Sequence, residues 1–317
     1  MRNVRLVAAA LVLATVLVGC GDDDDTGGEQ VTLTVGVIPI ADVAPLYLGI
    51  DKGFFEDEGL KIETRLAEGG AAIIPSVVNG DYQIGFSNTT SLIIAGSKDL
   101  PIQIISQGVQ AGTGPDDAWD GVLVPAGSDI KELKDLEGRT VAVNTLNNVS
   151  QVVVNTALKE AGADYEKVDY VEVPFPDMNA ALESKRVDAA FEVEPGYTGG
   201  LQAGSTSISN AYEEMAPNYT VATYFASEQY IGENRDVVDR FVRAMEKSLE
   251  YASAHDDEVR AIVGTYTKIP KEVLDEMNLP VWKPDLNEDT IELTIDAADE
   301  YGFIEEKPSL DDLILET

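Results

Sequence analysis

Residues Thr32 to Glu63 constrain the fold more than any other stretch of the chain. Leu33, Val35, Val37 and Ile38 form a short apolar run with β-branched bias, which reads as a buried strand stopped at Pro39. Asp42 is placed as an N-cap, and Pro45 is tolerated in a first helical turn. Val43, Leu46, Tyr47 and Ile50 then recur at helical spacing. Gly53 ends the helix, and Gly59-Leu60 turns the chain into a second strand from Lys61 to Leu66. The pattern is a β–α–β unit, so the class is α/β with a parallel pair. Its first loop, Ile40–Ala41–Asp42, would present backbone N–H groups above the strand ends.

The same grammar repeats downstream. Gly69 and Gly70 precede a helix carrying Ile73, Val77 and Val78. A strand over Tyr82 to Phe86 opens into Ser87, Asn88 and Thr89, ahead of a helix over Leu92 to Ser97. Another strand is expected from Leu100 to Ser106, with Gln107–Gln110 as its exit loop. Further on, a strand ending at Val143 opens into Asn144–Ser150, where Thr145, Asn147, Asn148 and Ser150 precede a helix to Glu160. Pro174–Asp177 leads into a helix over Met178 to Ser184. Arg186–Pro195 gives a strand that exits through Glu192 and Glu194. Polar exits at one end of an open sheet are where ligands bind, although each could equally be an ordinary cap or a solvated strand end.

Length favours two cores. Crossings are expected near Trp119–Val122 and Tyr219–Phe225. Residues 31–120 then form the first part of lobe 1, 121–221 form lobe 2, and 222–317 return to lobe 1 and end in helices. Asn234 to Ala254 is strongly helical. His255, the single histidine, reads as a capping or surface residue.

The start of the chain has another purpose. Arg2 and Arg5 precede the apolar run Leu6 to Val18, too short to span a bilayer comfortably and typical of an export signal. Leu17-Val-Gly-Cys20 resembles a bacterial lipoprotein signal. It implies cleavage after residue 19 and lipidation of Cys20, the only cysteine, with anchoring to the membrane on the periplasmic or extracellular side. Residues 20–30 form a flexible acidic tether. The formal charge of −35 becomes −37 once Arg2 and Arg5 are removed, which argues against nucleic acid as a partner. Self-repulsion on this scale is relieved by salt, so a saline habitat is one reading of the acidity.

Tyr47-Leu-Gly-Ile-Asp-Lys-Gly-Phe-Phe-Glu-Asp-Glu-Gly-Leu60 resembles the first-helix motif of the substrate-binding proteins of ABC importers for nitrate, taurine and sulfonates, a family that includes binders of thiamine-pyrimidine precursors. Ile130–Asn144 and Glu194-Pro195 are similar to later segments of that family. Two departures stand out. Asn147 and Asn148 occupy a turn usually built from Gly, Ser or Thr, and Val193 replaces a common aromatic while Glu192 adds an acid. The resemblance implies an α/β, two-lobed periplasmic-binding-protein fold of type II, each lobe a mixed sheet flanked by helices, with the ligand cleft between the lobes. It further implies a small-molecule ligand, an ABC permease with its ATPase as partners, and a monomer.

The ligand-binding residues expected on these grounds are Ile40, Ala41, Asp42, Tyr47, Gly69, Gly70, Ser87, Asn88, Thr89, Thr145, Asn147, Asn148, Ser150, Glu192, Glu194, Tyr197 and Tyr224. The three tyrosines are candidates to stack on a ring. With one His and one Cys, no Gly-x-Ser-x-Gly and no phosphate-binding Gly-rich loop, catalysis, metal and cofactor are not expected. No Lys or Arg lies in these loops, so a solute bearing a nitrogen donor fits better than a bare anion. Sulfonate, taurine and nitrate stay open through the resemblance. An exported sensor domain without a permease and a thiamine-precursor-synthase-like enzyme are the alternatives in other classes.

Overall fold

The computed structural model describes residues 30–114, 116 and 118–316. The expected signal and most of the tether, with Cys20, lie outside the described residues.

The chain opens with strand β1 (Val31–Val37), a 3₁₀ turn over Ala41–Val43, helices α1 (Ala44–Asp51) and α2 (Phe54–Asp57), and β2 (Leu60–Leu66). Next come α3 (Gly70–Val78), β3 (Ile84–Asn88), α4 (Thr89–Gly96) and β4 (Ile102–Gln110). β5 (Asp120–Val124), β6 (Thr140–Val143), α5 (Val149–Glu160), β7 (Asp169–Glu172), α6 (Phe175–Glu183), β8 (Ala189–Val193), α7 (Gly196–Gln202), β9 (Thr206–Ser207) and α8 (Ala211–Met215) follow. The chain closes with β10 (Thr220–Ser227), α9 (Glu228–Glu233), α10 (Arg235–Ala252), α11 (Asp256–Tyr266), α12 (Lys271–Glu276), α13 (Glu288–Glu300) and α14 (Leu310–Leu313).

Two five-stranded sheets result, ordered β2-β1-β3-β10-β4 and β7-β6-β8-β5-β9. Each is mixed. β1 pairs in parallel with β2 and β3, and β10 runs antiparallel between β3 and β4. In the second sheet β6 is parallel to β7 and β8, while β5 is antiparallel to β8 and β9. The two sheets share one plan, a parallel β–α–β core closed by an antiparallel strand.

The first sheet is covered by α10, whose buried stripe of Val237, Val238, Phe241, Met245 and Leu249 repeats at helical spacing. Phe241 meets Phe55 at 5.5 Å and Tyr224 at 5.8 Å between ring centroids. Burying each such side chain stabilises the fold by roughly 1.5–3 kcal/mol. The tail also reaches the helices of the second sheet. Gln202 on α7 donates to Glu276 Oε2, Thr156 on α5 hydrogen-bonds Tyr301, and Lys159 pairs with Glu300.

Three local expectations are corrected. β4 does not stop at Ser106 but runs through the expected loop Gln107–Gln110, because β10 pairs with it along this length. Asp42 is not an N-cap; it lies inside the 3₁₀ turn and its side chain makes no cap bond. α4 starts at Thr89, where Asn88 Oδ1 accepts Ser91 N–H.

Candidate ligand-binding site

The strand exits of the two sheets face each other. Ala41 N–H donates to Glu194 O at 3.1 Å, a backbone bond between the first loop of one sheet and the last exit of the other. Gly69 is buried against the opposite loop: a Cβ placed on it would stand 2.5 Å from Thr145 Oγ1 and 3.4 Å from Asn144 Nδ2. The two lobes are closed on each other.

Three cavities lie along this seam. The smallest, about 20 Å³, is lined by Asp42, Asn88, Asn144, Asn148, Ser150 and Tyr212 among others. That volume holds about one water. Beside it opens a cavity of about 410 Å³ between Pro39, Ile40 and Leu66 on one lobe, Phe175 and Glu192–Gly196 on the other, and Tyr266–Ile269 from the tail. A third, of about 330 Å³, continues along Ile38, Leu66, Ala67, Glu68 and Pro174–Asp177.

The expected site residues fall into groups. Ile40, Asp42, Asn88, Asn148, Ser150, Glu192 and Glu194 line the seam cavities. Ala41, Gly69 and Thr145 instead hold the lobes together, as described above. Gly70 packs on Ser87, and Thr89 Oγ1 is taken by the carbonyls of Thr220 and Val221. Asn147 is exposed, and its N–H donates to Gln151 Oε1. The three tyrosines do not stack into these cavities. Tyr47 lies parallel to Tyr266 at 4.1 Å and contacts Thr64 through its hydroxyl. Tyr197 is in the second lobe's core, its hydroxyl accepting from Asn210. Tyr224 is buried between Phe86 and Phe241. Their aromatic faces are spent on packing.

Sequence reasoning passed over Phe175 and the segment Tyr266–Ile269. Phe175 follows β7 and sits at a strand exit like the others, so the same rule could have found it. Nothing local marks Tyr266–Ile269, which the tail brings across the seam. With it comes Lys268, a cation at the rim of the larger cavity, where no basic residue was expected.

Electrostatics separate three buried acids. Glu194 is engaged: Oε2 accepts Thr198 N–H at 3.1 Å, and Oε1 accepts Thr198 Oγ1 at 2.6 Å and Asn278 N–H at 3.1 Å. Burial raises its pKa to about 7, while those donors and the charge of Arg260 pull it down. Asp42 is buried with Oδ1 unpartnered, and burial raises its pKa to about 7 against a backbone hydrogen bond. Glu192 is fully buried and neither carboxyl oxygen has a hydrogen-bond partner. Burial pushes its pKa well up. The Val193 amide works the other way and the Glu194 charge adds to the rise. Among the described residues no group of three or more His, Cys, Asp or Glu could hold a metal ion.

A model of the NMT1/THI5-like family matches residues 40–259. This chain belongs to that family. The resemblance read from Tyr47–Leu60 is thus a family relationship. A formylaminopyrimidine-binding protein of Halalkalibacterium halodurans is 26% identical over 281 residues, covering 88% of this chain and 80% of that protein. A riboflavin-binding protein of Chloroflexus aurantiacus is 24% identical over 269 residues, 81% of this chain and 74% of the relative. Among solved structures, the ligand-binding component of an ABC-type import system from Staphylococcus aureus superposes with a TM-score of 0.78 at 14% identity, covering 90% of this chain and 97% of that one. The nitrate-binding protein of Synechocystis gives 0.75 at 15%, covering 90% and 84%. The alkanesulfonate-binding protein of Xanthomonas axonopodis gives 0.73 at 15%, covering 89% and 96%. The family fold is therefore the two-lobed α/β fold expected from the sequence, and these likenesses concern the fold alone.

Proposed function

We propose that this chain is the extracytoplasmic solute receptor of an ABC-type importer. It binds a small organic solute between its lobes and delivers it to a permease driven by an ATPase. Family membership supports the reading, as do relatives named as binding proteins. The observation that carries it is the seam itself: facing strand exits with a 410 Å³ cavity and two buried acids, Asp42 and Glu192, each with oxygen unpartnered. Buried polar groups without partners are costly, and a solute carrying hydrogen-bond donors would supply the missing partners. Nitrate or a sulfonate, as named for two solved neighbours, would meet Lys268 as the one basic residue lining the described cavities and would face buried carboxyls.

Lobes joined by the β4–β5 and α8–β10 connections would part to admit the solute and close over it. Binding rather than catalysis suits a site with no nucleophile–base pair. A diacylated Cys20 would keep the receptor at the membrane; intact-mass measurement of the membrane-extracted protein should show the lipid, and an unmodified Cys20 would exclude it. Among the described residues no helix is long and apolar enough to cross a membrane.

A thermal-shift screen tests the ligand class, with taurine, alkanesulfonates, nitrate, aminopyrimidines and formylaminopyrimidines as probes. Donor-bearing organic solutes should raise the melting temperature, and Asp42→Asn or Glu192→Gln should reduce the effect. Stabilisation by nitrate alone, unchanged by either substitution, would contradict the reading.

A further inference from the structure

The charges around the larger cavity specify more than the presence of a donor. This inference rests on the receptor reading and adds the chemical class of the solute. The residues lining the cavity include two acids and one lysine: Glu192, Glu194 and Lys268. Glu194 already has three donors from Thr198 and Asn278. Lys268 is exposed and stands at the rim. Glu192 is different, since it is wholly buried and, apart from the lowering effect of the Val193 amide, its oxygens have no hydrogen-bond partner.

Its position is built into the backbone. A Cβ on Gly196, at the start of α7, would stand 2.5 Å from Glu192 Oε2, so any larger residue there would displace the carboxyl. From the other lobe Asp42 presents a second unpartnered oxygen, in the small cavity that shares Ile40, Phe175 and Val193 with the larger one. The remaining walls are largely apolar, with Pro39, Ile40, Leu66, Phe175 and Ile269.

Burial favours the uncharged form of Glu192. A neutral donor would satisfy one oxygen and leave that proton in place, whereas only a partner of opposite charge stabilises the ionised carboxylate. An anion would add to the repulsion. A cation compensates the charge and is drawn into a low-dielectric cleft on a chain of net charge −35. We propose that the solute is an organic cation, an ammonium, amidinium or guanidinium on an apolar frame, with its charged nitrogen on Glu192 and its frame against Phe175, Ile40 and Leu66. Glu192 thereby sets the charge selectivity of the cleft.

The test uses isosteric trios that differ in charge: benzamidine, benzamide and benzoate, and butylammonium, butanol and butanesulfonate. Each is titrated calorimetrically into the full chain and into Glu192→Gln. The cation should bind wild type at least about tenfold more tightly than its neutral and anionic partners, and the substitution should erase that margin. Equal or tighter binding of a neutral or anionic member, or an intact cation preference in Glu192→Gln, overturns the proposal and leaves the receptor reading standing. If no member of either trio binds wild type, while the broader solute screen does find a ligand, the cation class is likewise overturned. If that screen also finds none, the receptor reading falls with it.

A second measurement stands independent of the variant's folding. Benzamidine keeps its charge between about pH 5 and pH 8, so a fall in its affinity for wild type towards the acid end reports protonation of the acids it meets. The other titratable residues lining this cavity are Glu194, Tyr266 and Lys268, with Asp42 in the adjoining small cavity. The carboxyls are the groups whose protonation would weaken a bound cation. A flat profile would overturn the proposal.

Discussion

At the scale of single residues, the seam holds three acids with three different fates. Glu194 is a structural carboxylate, tied to Thr198 and Asn278, although its strand-end position made it the more obvious ligand contact. Glu192, which reads in sequence as an ordinary added acid, is the one left unpartnered. Sequence position cannot separate them, because the difference lies in whether Thr198 and Asn278 reach the carboxyl. Asp42 carries a measurable consequence. Its pKa is raised from 3.8 to about 7 by burial, so the folded chain holds a proton that the unfolded chain has released between those values. Ionising Asp42 therefore works against folding, and stability falls as pH rises through that window. Asp42→Asn should be more stable than wild type at pH 8, by on the order of 4 kcal/mol for a shift of this size, and the advantage should vanish near pH 4. Chemical denaturation at several pH values checks this. An advantage independent of pH would show that Asp42 is not a buried, titrating acid.

At the scale of elements, β1, α1, β2 and the helices α3, α5 and α10 were legible because apolar periodicity runs along them, joined at α5 by the Asn148 cap. The corrections came where pairing partners decide. Gln107–Gln110 looks like a polar exit, yet β10, more than 100 residues later, pairs along it. The rim Tyr266–Ile269 was invisible for a related reason, since only the path of the tail puts it at the cleft. The tyrosines misled because an aromatic beside a motif says nothing about which face it takes: Tyr224 lies on the α10 side of its sheet. Gly69 and Gly70 show the same local sequence doing two different jobs. A Cβ on Gly70 would meet Ser87 Cα at 2.7 Å within one lobe, whereas on Gly69 it would meet Thr145 across the seam. Gly70→Ala should lower stability by about 1–3 kcal/mol through forced displacement of α3 from β3. Gly69→Leu should leave stability within about 0.5 kcal/mol, since the strain can be relieved by opening the lobes. It should weaken binding of an aminopyrimidine or benzamidine by about tenfold. The reverse ranking would contradict this assignment of the two glycines.

At the scale of the whole molecule, the proposed function puts the site where the two sheets meet and the tail crosses them. The strand exits, the backbone bond from Ala41 to Glu194 and the contact of Gly69 with Thr145 all fall on that seam. Its acids Asp42 and Glu192 are buried away from bulk water; under the proposed function closure and recognition are then one event, with the solute desolvated as the lobes come together. The position of Gly69 allows this to be tested directly. A Cβ on Gly69 would lie 3.9 Å from Thr145 Cβ, within the usual span of a disulfide. The chain's single cysteine, Cys20, can be changed to Ser to leave the new pair without a competitor. Gly69→Cys with Thr145→Cys should oxidise readily and lock the lobes shut. Titrated with an aminopyrimidine and with benzamidine, the reduced protein should bind and the oxidised protein should not, with binding restored on reduction. Equal binding in both redox states would place the solute site away from the seam and contradict the account.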